Sequence, residues 1–209
     1  MRYILSSNPT QEKESQILRA GRRTKMKLAV IFPGIGYHTD KPLLYYGKKA
    51  ARALGYEIAE APYGNFEKNI KGSAEKMEKA FLSARSQAET LLKAVDYDRY
   101  DRIVFISKSV GTAVAASYAH DHHIQAEHIY YTPVKASFQF MKTFEEQKGV
   151  VFHGTADPWV ETTDVVKGCR ERNLPLYITE GGNHSLETGD VLKDIQNLRE
   201  IMEKTTEFL

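Results

Sequence analysis

Ile103-Val104-Phe105-Ile106-Ser107-Lys108-Ser109-Val110-Gly111 is the stretch on which the reading of this chain turns. The apolar run Ile103 to Ile106 has the character of a strand buried on both faces. The small-residue run from Gly111 to Ala119 suits a helix packed closely on its neighbours. Ser109 therefore stands on a tight strand-to-helix corner that exposes its hydroxyl. The amides and positive partial charge of a helix start lie beside it, where a developing oxyanion would be stabilised. That is the setting of a serine nucleophile, and the surrounding pattern is G-x-S-x-G with Ser107 in place of the first glycine.

Working outward, strands and helices alternate. Lys27 to Phe32 reads as a buried strand ending at Pro33-Gly34. Pro42 can open a helix that runs to about Leu54 and stops at Gly55. Tyr56 to Ala59 reads as a strand. Ala74 to about Ala94 reads as a long helix with Met77, Phe81, Ala84, Ala88, Leu91 and Leu92 on one face. After the Ser109 corner come a strand at Glu127 to Tyr131 and a short helix at Phe138 to Glu145. A strand at Gly149 to Phe152 and a helix from Thr162 to Glu171 follow. A strand at Leu174 to Thr179 and a last helix from Val191 to Met202 complete the series. This order predicts an α/β domain with a mainly parallel sheet covered by helices on both faces, spanning 1–209 as one unit. Residues 1–25 are the least regular, with a short strand expected at Tyr3 to Leu5 and a helix or second strand at Glu14 to Arg19.

Sites in parallel sheets form at the carboxyl ends of strands. Two further segments fall there. Phe152-His153-Gly154-Thr155-Ala156-Asp157-Pro158 follows one strand, and Glu180-Gly181-Gly182-Asn183-His184-Ser185 follows another. The chain thus offers Ser109, Asp157 and His184 in that order. Taken singly, each has a plainer reading: Ser109 as a helix N-cap, Asp157-Pro158 as a turn, His184 as a loop histidine.

Together with Phe32-Pro33-Gly34-Ile35-Gly36, these segments resemble the α/β-hydrolase superfamily from about Lys27 to the C-terminus. The resemblance implies an acyl-enzyme on Ser109, with His184 as base and Asp157 as the acid that orients it. It implies an oxyanion hole of two backbone amides, Val110 and Ile35, although Pro33 replaces the histidine usual in that turn. Tyr37, Lys108 and Trp159 lie close enough in sequence to these groups to contact a substrate, as does His38. Lys108 could attract an anionic group. Asp164 and Glu161 are alternative acids, but they fall in the following helix. The short Pro133 to Gly149 interval leaves room for little or no cap. These features point to a small serine hydrolase of the carboxylesterase or thioesterase kind, acting on an ester, thioester or small amide without metal or organic cofactor. Transfer to an acceptor other than water uses the same residues. The alternative is a non-catalytic protein of the same fold that binds a small ligand or a partner.

Bulk properties agree with a globular domain. The 209 residues are 42% hydrophobic and 27% charged, with a net charge of +2. That balance gives no argument for nucleic acid as a partner. No stretch is long and apolar enough for a membrane span or a secretory signal, so a cytoplasmic location is expected. The single cysteine, Cys169, excludes an intramolecular disulfide framework. His120, His122, His123 and His128 cluster at the far end of the helix after Ser109, where they suit a helix C-terminus better than a metal site. An edge strand or the last helix offers a surface on which two copies could pair.

Overall fold

The computed structural model describes residues 25–67, 70, 73–141 and 148–209. The strand expected at Tyr3 to Leu5 and the helix or strand expected at Glu14 to Arg19 lie outside them, as does the second half of the short helix expected at Phe138 to Glu145. Six parallel strands form one sheet in the order β2-β1-β3-β4-β5-β6. They are β1 (Lys27–Phe32), β2 (Tyr56–Glu60), β3 (Arg102–Lys108), β4 (Ala126–Tyr131), β5 (Gly149–Gly154) and β6 (Leu176–Thr179). The chain adds β2 on one side of β1, then returns to add β3 on the other. The crevice of an open α/β sheet forms at such a reversal, so the carboxyl ends of β1 and β3 define its place here.

Strand alternation divides the core into two faces. Ala29 and Ile31 of β1, Val104 and Ile106 of β3 and Tyr131 of β4 pack under α1 (Pro42–Ala53) and the last helix, α6 (Val191–Phe208). Leu28, Val30, Phe32 and Phe105 point the other way, against α2 (Ala74–Leu92) and α3 (Val110–Asp121). That face continues over β4 and β5, where Tyr130 and Val151 meet Val165 and Cys169 of α5 (Thr162–Arg170). α3 is buried over nearly its whole circumference, from Val110 to Ala119. Its glycine and alanines let the backbone lie close to the sheet, so it carries no polar stripe.

Several boundaries differ from the sequence reading for identifiable reasons. β6 starts at Leu176 because the Leu174 N–H closes the end of α5 on Cys169 O and Pro175 has no N–H to give. α6 runs six residues beyond Met202, to Phe208. Its last turns are held by the buried pair Thr205 Oγ1 and Tyr131 Oη, 2.6 Å apart. Between β4 and β5 the only helix among the described residues is α4 (Ser137–Phe140). The buried stripe of α2 is Ala80, Ala84, Ala88 and Leu92, and Leu91 is 44% exposed. Adjacent leucines cannot share one helix face, and the fourfold spacing back to Ala80 selects Leu92.

The exposure of Leu91 has a measurable consequence. Leu91→Lys is expected to change the free energy of urea unfolding by less than about 0.5 kcal/mol. Ala84→Leu, which forces a larger side chain into the apolar cluster that α2 shares with α3 and the sheet, is expected to cost about 1–3 kcal/mol.

Candidate active site

Ser109 sits between the last residue of β3 and the first of α3, with φ 55° and ψ −127°. A non-glycine residue holds this left-handed corner only when its surroundings force it. Here they do. The Ser109 N–H donates to Tyr131 O at 3.0 Å, and Ser109 O accepts from Thr112 N at 2.9 Å. Gly111 lies so close to β1 that a Cβ there would sit 2.3 Å from Pro33 O and 2.5 Å from Phe32 O. Only glycine allows α3 to start so near β1. Ser107, which replaces the first glycine of the pattern, is fully buried and donates its hydroxyl to Ile129 O at 3.2 Å. A polar side chain is tolerated there because the neighbouring strand supplies an acceptor.

The other two groups arrive on loops that are tied together. After β5, Thr155 N donates to Thr179 O at 3.1 Å and Ala156 N to Gly182 O at 2.9 Å. Gly154 permits this approach, since a Cβ on it would lie 2.1 Å from Gly182 O. In the loop after β6, Asn183 Oδ1 accepts from Ser185 N at 2.7 Å and Glu187 N at 3.2 Å. This turn sets the direction of the intervening His184. Thr132 Oγ1 donates to His184 O at 3.0 Å from the end of β4.

The result is a continuous relay. His184 Nε2 lies 2.7 Å from Ser109 Oγ, and His184 Nδ1 lies 2.7 Å from Asp157 Oδ2. The second carboxylate oxygen, Oδ1, accepts from Trp159 N at 2.9 Å. An ionised carboxylate only accepts, so Nδ1 carries the proton of a neutral imidazole and Nε2 is left to accept from the Ser109 hydroxyl. The Asp157 side chain is fully buried and that of His184 is 18% exposed. Burial alone would raise the Asp157 carboxyl. The hydrogen bond and charge of His184, with the Trp159 amide, outweigh it and hold the group below its ordinary value of 3.8. Burial is also the main influence on His184. It outweighs the support of Asp157, the Lys108 charge adds to it, and the imidazole is held below 6.5.

Ser109 and His184 open on a cavity of about 300 Å³. Ile35, Tyr37, Lys108 and Trp159, all expected near the site from sequence position, form part of its wall. The Trp159 ring also packs on His184, with centroids 5.6 Å apart. The turn after β1 is closed by reciprocal bonds between Gly34 and Tyr37 and is tied down by Tyr63 Oη, which donates to Pro33 O at 2.7 Å. A Cβ on Gly34 would come 3.0 Å from that of Ser109, so this turn, with Ile35, packs directly against the serine. Val110 opens α3, so its N–H has no partner one turn back.

Lys108 is 1% exposed, and its Nζ lies 5.0 Å from the centroid of the Tyr37 ring. Such a contact returns about 0.5–2 kcal/mol. That is less than the several kcal/mol that desolvating an ammonium takes. Burial accordingly pulls the Lys108 amine down from 10.5 to about 7, against the opposing charges of Asp157 and Glu187.

Sequence position did not reveal Ile70, Met77 and Ser185, which complete the wall, or Thr132. Ile70 and Met77 come from the distant segment around the start of α2, and only the fold brings them over. His38 is exposed, pairs with Asp40 and is not among the wall residues. Asp164 is engaged by Lys135 at 3.1 Å, away from the relay. Among the described residues no three or more His, Cys, Asp and Glu side chains gather as a metal site. No helix among them is long and apolar enough to cross a membrane.

No protein-family model and no curated protein matches the sequence. Solved structures do match in shape. An α/β serine hydrolase homologue from Coxiella burnetii superposes with a TM-score of 0.63 at 16% identity, over 88% of this chain and 85% of that one. A lid-less α/β serine hydrolase from Xanthomonas campestris gives 0.55 at 16% identity, over 90% and 86%. A Butyrivibrio proteoclasticus protein with ferulic acid bound gives 0.61 at 12% identity, over 90% of both chains. With its six-stranded parallel sheet flanked by helices on both faces and this agreement in shape, the chain has the α/β-hydrolase fold.

Proposed function

We propose that the protein is a serine hydrolase acting on an ester, thioester or small amide. The observation that carries this reading is the unbroken relay from Ser109 through His184 to Asp157 at the wall of a cavity. A helix N-cap serine, a turn aspartate and a loop histidine have no reason to meet at 2.7 Å. A binding module has no use for a buried carboxylate aimed at the imidazole.

In this mechanism Ser109 Oγ attacks the acyl carbonyl and its proton passes to His184 Nε2. Asp157 stabilises the imidazolium that forms and fixes its orientation without taking the proton. Negative charge grows on the carbonyl oxygen, and the N–H groups of Ile35 and Val110 are the donors that receive it. When the tetrahedral species collapses, the leaving alcohol, thiol or amine takes the proton from His184 and departs, leaving the acyl group on Ser109. Water then attacks the acyl-enzyme, gives a proton to His184, and the acid is released as Ser109 regains its hydrogen. Trp159 anchors Asp157 through its amide and covers one side of the imidazole with its ring. That excludes water from the bonds that must stay short.

Three tests follow from this chemistry. A fluorophosphonate probe is expected to label the wild type at Ser109 and not the Ser109→Ala variant, as read by mass spectrometry. Asp157→Asn is expected to lower kcat on a neutral ester by about 10⁴-fold while the fold is retained. Failure of the well-folded wild type to label would favour a ligand-binding protein of this fold. The third test is the pH profile. The base works only when neutral, and burial holds His184 below 6.5. For a neutral ester, kcat/KM is expected to rise through an acid limb with its midpoint below 6.5 and not to fall above it.

A further inference from the structure

The relay leaves one charged group of the cavity unused. Lys108 precedes Ser109, is almost wholly buried, and contributes to the same wall as Ser109 and His184. Among the described residues no carboxylate pairs with its Nζ, and its close neighbour is the face of the Tyr37 ring. Tyr37 is itself fixed, because its hydroxyl accepts from Leu43 N at 3.1 Å. The lysine is therefore held by its strand and by a rigid ring, with the Asp157 and Glu187 carboxylates acting on it only from a distance. It does not act as the base for Ser109, whose hydroxyl is already committed to His184 Nε2. Nor is it a surface lysine with an incidental aromatic neighbour, since an ammonium removed from water needs either an anion or the loss of its proton.

We propose that Lys108 is the recognition group for a carboxylate carried by the substrate, so that the preferred ester is that of a small anionic molecule. This rests on the hydrolase reading above and narrows its substrate class. A single ammonium presents one unit of charge and matches one carboxylate. The bound anion would receive a charge-assisted hydrogen bond in a dry site.

Protonation couples to this recognition. The groups bearing on Lys108 are the Asp157 and Glu187 carboxylates, which favour its charge, and His184, with which it interacts unfavourably when both are charged. Tyr37 stays neutral, its phenol raised to about 12 mainly by burial. In the free protein the amine titrates at about 7. A carboxylate bound to the ammonium raises that value, so binding takes up protons and weakens as the pH rises above 7. The imidazole must be neutral and the amine charged, and both hold between the His184 limb below 6.5 and the Lys108 limb near 7.

The experiment compares matched esters. Mono-ethyl succinate carries the carboxylate on the acyl side, and acetoxyacetate carries it on the alcohol side. Ethyl succinamate and acetoxyacetamide are their uncharged isosteres. Wild-type protein is expected to prefer at least one anion over its isostere by about tenfold or more in kcat/KM at pH 6.5. The preference should fall away by pH 9, and Lys108→Met should abolish it. If Lys108→Met does not fold, the wild-type pH dependence decides. Equal or slower turnover of both anions at pH 6.5, with Ser109-dependent turnover of the neutral esters, overturns this inference and leaves the hydrolase reading intact. If no ester is turned over, fluorophosphonate labelling of Ser109 decides the hydrolase reading. The lysine is then tested by calorimetry of the same compounds on Ser109→Ala protein. Tighter binding of an anion with proton uptake at pH 8 supports the carboxylate site, and equal or absent binding overturns it.

Discussion

The backbone corner at Ser109 is the constraint on which the rest of the site depends. A serine at φ 55° and ψ −127° costs on the order of 1–3 kcal/mol relative to an ordinary conformation. The cost is sustained because the residues on either side have no freedom. β3 is fixed between β1 and β4 by its ladder bonds, and α3 is buried on nearly every side. The chain must pass from one to the other within a single residue. Gly111 then lets the helix begin against the carbonyls of Phe32 and Pro33. The same contact brings the turn after β1 up to the serine, so one close approach sets both the hydroxyl and the amides beside it.

Two loops must then meet that fixed hydroxyl. They do so as one unit, because the Asp157 turn and the His184 loop are joined by backbone bonds and by the Gly154–Gly182 contact. Thr132 carries the tie on to β4. Errors in position therefore do not accumulate separately for Asp157 and His184. The electrostatics are as tightly linked. Asp157 supports a charged imidazole while burial and Lys108 oppose it, and the second influence wins in the free protein. The outcome is an imidazole that is mainly neutral at pH 7.

What could be read from the sequence was what depends on neighbours along the chain. Apolar runs bounded by Gly, Pro and Asp give the strands and their ends. Ser109, Asp157 and His184 stand out because each follows such an end. What could not be read depends on neighbours across the fold. Ser107 looks like a defect in its pattern until the carbonyl of Ile129 is seen opposite it. Leu91 and Leu92 are the same residue type, and the spacing that separates them has meaning only once Ala80, Ala84 and Ala88 are known to be the buried stripe. Ile70 and Met77 reach the cavity from a segment whose sequence carries no sign of it. Lys108 is the sharpest instance. A lysine is mostly exposed by default, and its near-complete burial follows from the strand position and from Tyr37 closing over it.

That burial also links recognition to chemistry within the proposed reading. In the free protein the Lys108 charge is one of the influences that keep the imidazole below its ordinary value. A carboxylate paired with the ammonium cancels most of that field. Asp157 then acts on His184 with less opposition, and the imidazole becomes a stronger base once the substrate is in place. A neutral ester of the same size leaves the ammonium unpaired and the base weaker. Discrimination would then appear in the chemical step as well as in binding, because the partner that satisfies the lysine also removes a charge opposing the imidazolium of the transition state.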